Sequence, residues 1–158
     1  MSKILIPTDF SVSSLSLLID AIENENEQID IVLVYGMSLP TSITELLFFS
    51  KQQTLNELQS AEFLDALYSI QKRYQHKLNS VVSDFFHGLN KNAFHSYLEG
   101  QKINKAYIPN DKNSILTNTK KGFNMISFIK KSTINVCEIT YPNGDNLKLV
   151  GLNTLIAR

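Results

Sequence analysis

The sequence predicts an α/β fold, a doubly wound five-stranded parallel sheet with helices on both faces. Short apolar segments alternate along the chain with amphipathic segments of helical period, which is the pattern of repeated strand–helix–strand units. The first apolar segment, residues 3–7, has no polar alternation after Lys3, as expected of a strand covered on both faces. The second, residues 29–35, is rich in β-branched residues and ends at Gly36, which favours a strand over a short buried helix.

Length and composition indicate one globular domain. The chain has 158 residues, 43% of them hydrophobic, with 15 basic and 15 acidic side chains, so no net charge attracts it to nucleic acid or to an anionic membrane. No segment approaches the ~20 apolar residues of a membrane span. A single cysteine, Cys137, agrees with a reducing compartment. We expect a cytoplasmic domain over residues 1–158, with a core at about 3–141 and a C-terminal extension at 142–158.

Apolar spacing predicts the helices of the first half. Ser11 is a good N-cap for an amphipathic segment that runs from Val12 to Ile22. The pair Ser42 and Glu45 has the spacing of a capping box at the start of another helix. A longer helix is predicted from about Thr54, and its apolar face is formed by Phe63, Leu67, Ile70, Tyr74 and Leu78.

Residues 80–87 are ambiguous by periodicity alone. The helical spacing continues toward Gly88, but the segment is rich in β-branched and aromatic residues and ends in a Gly-Leu-Asn break. We interpret it as the third strand. A helix with Phe94, Tyr97 and Leu98 on one face follows, and Gly100 is expected to end it.

The second half continues the alternation. The fourth strand is predicted at residues 103–109, followed by a polar loop to residue 121, a helix over 123–131 and the fifth strand at 134–141. Residues 142–146, Pro-Asn-Gly-Asp-Asn, are typical of a turn, after which residues 147–150 could return as an added antiparallel strand.

The opening Pro7-Thr8-Asp9-Phe10-Ser11, the Val-Tyr-Gly end of the second strand and the break at Gly88 resemble the universal stress protein family over residues 3–141. The resemblance implies the strand order 3-2-1-4-5, which brings the carboxyl ends of strands one and four together. It also implies a stress-response role and a homodimer formed through the edge of the fifth strand.

Family members that bind ATP hold adenine near the aspartate after strand one and beside the end of strand two. Their phosphates bind to a Gly-x-x-Gly loop after strand four and a later Gly-Ser or Gly-Thr, because backbone amides must approach the phosphates closely. Residues 109–123 of this chain contain one glycine and neither pattern. The candidate nucleotide-binding residues are therefore Thr8, Asp9, Val34, Asn110 and Lys112. Lys112, Lys120 and Lys121 are either phosphate ligands or solvated loop lysines. Asp9 is either a ligand group or a carboxylate that stabilises the start of a helix.

No catalytic or metal-binding pattern stands out. Enzymes with this architecture usually carry His-x-Gly-His or Ser-Gly-Gly loops, and neither is present. His76, His87 and His95 are not spaced as ligands on one face, and Asp84 with Asp111 is the sole carboxylate pair near strand ends. We therefore expect a non-catalytic regulatory or binding protein with weakened or lost ATP binding. One alternative is an ATP- or AMP-binding switch with an atypical loop. Another is a hydrolase that uses Asp9 and a metal, for which Asp9 is the single supporting residue.

The segment Leu46-Leu47-Phe48-Phe49 has more apolar surface than one helix stripe can direct at its own sheet. We expect Leu47, Phe48 and Phe49 to contact a second subunit in a homodimer that also uses the fifth-strand edge. The alternative is that a bend after Pro40 tucks all four residues under the long helix.

Overall fold

The computed structural model describes residues 2–38, 42–88, 90–109, 123 and 125–139. Five parallel strands form one sheet in the order β3-β2-β1-β4-β5, which confirms the predicted fold class and strand order. The strands are β1 (Ser2–Pro7), β2 (Ile29–Gly36), β3 (Leu78–Phe86), β4 (Lys105–Pro109) and β5 (Asn135–Ile139).

Helices connect the strands. A 3-10 turn at Val12–Ser14 leads directly into the first helix, and Ser11 caps the turn as predicted by accepting a hydrogen bond from the backbone N–H of Ser14. The helices are α1 (Leu15–Asn24), α2 (Ile43–Leu47), α3 (Lys51–Leu58), α4 (Ala61–Arg73), α5 (Lys91–Gln101) and α6 (Ile126–Lys130).

The sheet is buried on both faces, which explains why its central strands lack polar alternation. On β2, Ile31 and Leu33 pack in one cluster with α1 and α4, whereas Val32 and Val34 pack in the other with α5 and α6. A strand exposes successive side chains to opposite faces. Neighbouring residues at a strand end therefore belong to different layers of the molecule.

The prediction of one continuous helix from about Thr54 to Leu78 is wrong, because this segment contains two helices, α3 and α4. It is interrupted at Gln59, and Ser60 accepts a hydrogen bond from the backbone N–H of Phe63 at the start of α4. Because an N-cap residue has extended backbone, Ser60 cannot continue the preceding helix. The apolar periodicity persisted across this break and concealed it.

The predicted helix end at Gly100 is also wrong. Gly100 lies inside α5, which ends at Gln101, and the residue that caps it, Lys102, has a left-handed φ of 59°. This conformation is uncommon for a residue with a Cβ. The backbone N–H of Ile103 bonds to the carbonyl of Leu98 at 2.9 Å and fixes this reversal at the start of the approach to β4.

Side chains from both layers contact the side chains of the edge strand β3. Lys51 of α3 lies 2.6 Å from the Asp84 carboxylate, and Tyr97 of α5 donates to the same carboxylate at 2.9 Å. Gln59 donates to the hydroxyl of Ser83 at 2.9 Å. Charged side chains on an edge strand discourage pairing with other chains, and the pair of Lys51 with Asp84 places such charges on β3.

Several sequence expectations fall outside the described residues. They are the loop lysines 112, 120 and 121, Asn110, Asp111, the turn at 142–146 and the added strand at 147–150. Within the described ranges, no helix combines the length and apolar character needed to cross a membrane.

Candidate functional site

The turn after β1 is held by backbone and hydroxyl hydrogen bonds. Thr8 donates its backbone N–H to the carbonyl of Val34 at 2.9 Å, which extends the pairing of β1 with β2 by one residue. Its hydroxyl oxygen accepts the N–H of Phe10 at 2.9 Å and lies 2.9 Å from the hydroxyl of Ser14. Phe10 itself has a φ of 61°. A bulky residue in the left-handed region is strained and persists only where its surroundings enforce it.

Asp9 is buried at this turn, with 6% of its surface exposed. Its Oδ1 atom accepts hydrogen bonds from the backbone N–H of Ser11 at 2.9 Å and from the Ser11 hydroxyl at 2.5 Å. Its Oδ2 atom is buried and has no hydrogen-bond partner within the described part of the chain. Burial raises the pKa of Asp9, and the hydrogen bonds from Ser11 offset only part of that effect.

Phe10 and Tyr35 pack directly beneath the turn. Their rings stack with centroids 5.5 Å apart, and Phe63 and Phe85 meet the Phe10 ring edge-on. The hydroxyl of Tyr35 is buried without a hydrogen-bond partner in the described ranges. Burial raises the pKa of this phenol, and the nearby charge of Asp9 raises it further. The aromatic cluster thus holds the strained turn and shields two polar atoms from water.

A crevice lies at the carboxyl ends of β1 and β2, on the other face of the sheet, and a second group of residues fills it. Pro7, Thr8, Val34 and Gly36 form its floor. Phe123 donates its backbone N–H to the carbonyl of Gly36 at 2.9 Å, and Met125 is 2% exposed beside it. A Cβ added at Gly36 would lie 2.8 Å from the Met125 side chain and 2.8 Å from the Phe123 carbonyl oxygen. The space that remains has no room for a water molecule.

The site therefore brings together three of the five candidate nucleotide-binding residues. Thr8, Asp9 and Val34 meet at the carboxyl ends of β1 and β2, while Asn110 and Lys112 are outside the described residues. Sequence reasoning missed Tyr35, Phe123 and Met125. Tyr35 could have been identified, because it follows Val34 and must face the opposite layer. Phe123 and Met125 gave no such signal, because their position depends on how the chain returns from β4.

The ring of Phe85 lies between His87 and the rings of Phe10 and Tyr35. The Nδ1 atom of His87 is 2.7 Å from the carbonyl of Met37, and its ring lies against Phe49 and Phe85. His95 pairs with Glu99 at 3.0 Å on the exposed surface of α5. Within the described part of the chain, no group of three or more His, Cys, Asp or Glu side chains could hold a metal ion.

A second buried polar cluster occupies the opposite end of the sheet. Glu25, at the end of α1, is 7% exposed and accepts hydrogen bonds from Tyr107 at 2.5 Å and Lys105 at 2.6 Å. The Tyr107 hydroxyl also accepts from Asn24 at 2.7 Å. Every polar group in this cluster has a partner, so it is a structural clamp between α1 and β4.

No protein-family model matches the sequence, and no curated protein matches it. Solved structures do match. Universal stress protein UspA from Lactobacillus plantarum aligns with a TM-score of 0.52 and 16% identity, covering 87% of this chain and 97% of its own. An Arabidopsis thaliana protein of the universal stress protein family, with AMP bound, aligns with a TM-score of 0.52 and 11% identity, covering 92% and 95%.

A parallel sheet in the order β3-β2-β1-β4-β5, with helices packed on both faces, defines a doubly wound α/β domain. More particularly, the chain has the fold of the universal stress proteins. At these identities the likeness shows the fold alone, and a fold does not determine a function.

Proposed function

We propose that this chain is a non-catalytic regulatory or binding protein of the universal stress protein type in which ATP binding is weak or lost. The observation that carries the proposal is the filled crevice beside Val34. The role in a stress response is proposed on the fold likeness, and the loss of nucleotide affinity on the residues that occupy the crevice.

The packing of Phe123 and Met125 beside Val34 and Gly36 supports the proposal, because the family resemblance implies that adenine binds beside the end of the second strand. An aromatic base inserted against Val34 and Gly36 would have to displace at least one of these side chains. Met125 belongs to the buried cluster that also contains Phe86, Ile126 and Ile129, so moving it would expose apolar surface and cost about 1.5–3 kcal/mol. A nucleotide must recover that energy before any net affinity appears.

The sequence after β4 lacks the glycine patterns that bind phosphate in the family. Residues 109–123 contain one glycine, Gly122, and neither a Gly-x-x-Gly nor a Gly-Ser or Gly-Thr pair. Residues with a Cβ hinder the close approach of backbone amides to phosphate oxygens. The filled crevice and the missing glycine patterns both support the proposal that ATP binding is weak or lost.

The arrangement around Asp9 also supports a non-catalytic role. The Oδ1 atom of Asp9 accepts two hydrogen bonds from Ser11, and the residue is buried. The described histidine nearest a strand end, His87, contacts the carbonyl of Met37. Neither group is arranged as a general base facing an open cleft.

One observation favours the alternative, an ATP- or AMP-binding switch. The Oδ2 atom of Asp9 and the hydroxyl of Tyr35 are buried without partners among the described residues, and each such atom costs about 1–3 kcal/mol. A ligand amine or hydroxyl that reached both atoms would recover part of that energy. We rank this reading second, because the apolar packing of Phe10 over Tyr35 leaves the pair enclosed.

A thermal-shift titration with ATP and AMP, each with Mg²⁺ at up to about 5 mM, tests the proposal. A ligand with a millimolar dissociation constant adds about 1 kcal/mol at that concentration, a shift of roughly 2–4 °C for a domain of this size. We expect a shift no larger than this. A shift of about 10 °C that disappears in Asp9→Ala would contradict the proposal and establish the switch.

A further inference from the structure

The five-residue helix α2 is exposed on almost every side. None of its residues is buried, and Ile43, Leu47 and Phe48 next to it are 78%, 77% and 80% exposed, with Leu46 at 48%. We call these four side chains the α2 face. Isolated helices shorter than about 12 residues are marginal in water, so a helix that buries nothing gains little by staying folded alone.

Two local contacts fix the position of the α2 face. Ser42 caps the helix by accepting the N–H of Glu45 at 3.1 Å. Phe49 turns inward instead, and its ring meets that of His87 edge-on with centroids 5.8 Å apart. The alternative that a bend tucks all four residues from Leu46 to Phe49 under the long helix is therefore wrong. Phe49 anchors the segment, and its neighbours face outward.

We propose that the α2 face docks against the α2 face of a second copy of this chain, about a two-fold axis. At roughly 100–150 Å² for each largely exposed side chain, one face offers on the order of 450 Å². Two copies together would bury about 900 Å², just below the ~1,000 Å² of a stable interface and within the range of weak, transient ones. We therefore expect a weak dimer with a dissociation constant on the order of micromolar.

Charge favours a second copy over a membrane surface. Residues 42–50 contain no Lys or Arg, and the adjacent Lys51 already pairs with Asp84 at 2.6 Å. Interfacial helices that bind anionic lipid carry basic residues on their polar face. The chain has a formal net charge of zero, so two copies meet without net repulsion.

The sheet order determines the symmetry of the contact. The α2 face follows β2 and lies beside β3, while β5 forms the opposite edge of the sheet. Four strand spacings of about 4.8 Å separate these edges. A contact from the α2 face of one copy to the β5 edge of the next is head-to-tail and would build a ring or an open chain rather than a two-fold dimer. Pairing of the α2 face with itself gives a closed dimer.

Sedimentation velocity from about 1 µM to about 200 µM tests the proposal, since this range brackets a micromolar dissociation constant. We expect the wild type to pass from monomer to dimer, and Leu47→Asp or Phe48→Asp to raise the dissociation constant about a hundredfold, because an unpaired charge would be buried. Leu64→Asp is the matched control, because Leu64 is 45% exposed on α4, and it should dimerise like the wild type. Circular dichroism checks that each variant is folded.

A cross-link provides a second measurement that keeps all four apolar residues. Thr44→Cys with Cys137→Ser places one thiol on α2, where it would approach its counterpart across the axis. We expect rapid intermolecular disulfide formation, and much slower formation for the control Leu64→Cys with Cys137→Ser. A wild type that stays monomeric throughout the range would overturn the proposal, as would equal cross-linking of both thiols. A monomer that binds anionic vesicles through Phe48 would also overturn it, in favour of a membrane contact.

Discussion

The Oδ2 atom of Asp9 and the hydroxyl of Tyr35 are both buried without a hydrogen-bond partner among the described residues. The two groups interact, because the charge of Asp9 adds to the effect of burial in raising the pKa of the Tyr35 phenol. Above them, Phe10 holds a left-handed φ of 61° and stacks on the Tyr35 ring. The turn after β1 is thus maintained at the cost of strain and of two unsatisfied polar atoms, as is common at functional positions.

Asp9→Asn tests the cost of burying this carboxylate. The pKa of Asp9 is raised in the folded state, chiefly by burial, so the folded protein binds the proton more tightly than the unfolded chain does. The contribution of Asp9 to stability therefore rises as the pH falls from neutral through the raised pKa. We expect Asp9→Asn to be more stable than the wild type at pH 7, with the difference diminishing at lower pH.

Urea denaturation of both proteins at about pH 7 and pH 5 provides the measurement. Because Asp20, Glu25 and Asp84 also have shifted pKa values, only the difference between the two proteins is informative. A difference that grows as the pH falls would show that the carboxylate has a partner favouring its charged form.

Tyr35→Phe removes the unpaired hydroxyl and keeps the ring that stacks on Phe10. We expect the free energy of unfolding to be unchanged or higher by up to about 1 kcal/mol, because no hydrogen bond of the described structure is lost. Thermal unfolding measures the change. A loss of more than about 1 kcal/mol would mean that the hydroxyl has a bound partner, and would support the switch interpretation.

Tyr107→Phe should have the opposite effect. Its hydroxyl donates to Glu25 within a buried cluster, and losing that donor should cost about 1–3 kcal/mol. The matched control is Tyr74→Phe, whose hydroxyl donates to Glu23 at 2.7 Å on the exposed surface, and its effect should stay within about 0.5 kcal/mol. Denaturant unfolding of the three proteins at pH 7 gives both values, and equal losses would contradict the clamp between α1 and β4.

The Tyr107→Phe effect should also depend on pH. Burial alone would raise the pKa of Glu25, but hydrogen bonds from Lys105 and Tyr107 outweigh it and lower the pKa. An acid whose pKa is lowered in the folded state stabilises the protein above its ordinary pKa, and this stabilisation is lost as the pH falls. The difference between Tyr107→Phe and the wild type should therefore shrink in acid.

The fold was predictable because its signals are local. Uninterrupted apolar strands and the Ser11 and Ser42 caps follow from residue type and spacing, and the structure confirms each of them. The division between α3 and α4 was missed, although Ser50 with Gln53 and then Ser60 supply two further capping signals. The left-handed Lys102 carries no sequence signal, since glycine is the residue usually expected in that conformation.

The site was predictable only in part. The position of Asp9 followed from the Pro-Thr-Asp-x-Ser pattern, but the aromatic cluster at its turn joins Phe10 to Tyr35 of β2 and Phe63 of α4, which are distant in the sequence. The contact of Phe123 with Gly36 joins residues 87 positions apart in the chain. No local pattern determines which side chain enters a crevice from that distance.

Isothermal titration calorimetry with ATP and Mg²⁺, on the wild type, Phe123→Ala and Phe94→Ala, tests the central claim most directly. Phe94→Ala is the matched control, because Phe94 packs in the same cluster against the rings of Phe86 and Phe128. We expect the wild type and Phe94→Ala to bind ATP no more tightly than about 1 mM, near 4 kcal/mol, and Phe123→Ala to bind at least about tenfold more tightly as the crevice opens. Micromolar binding by the wild type, lost in Asp9→Ala, would contradict the account.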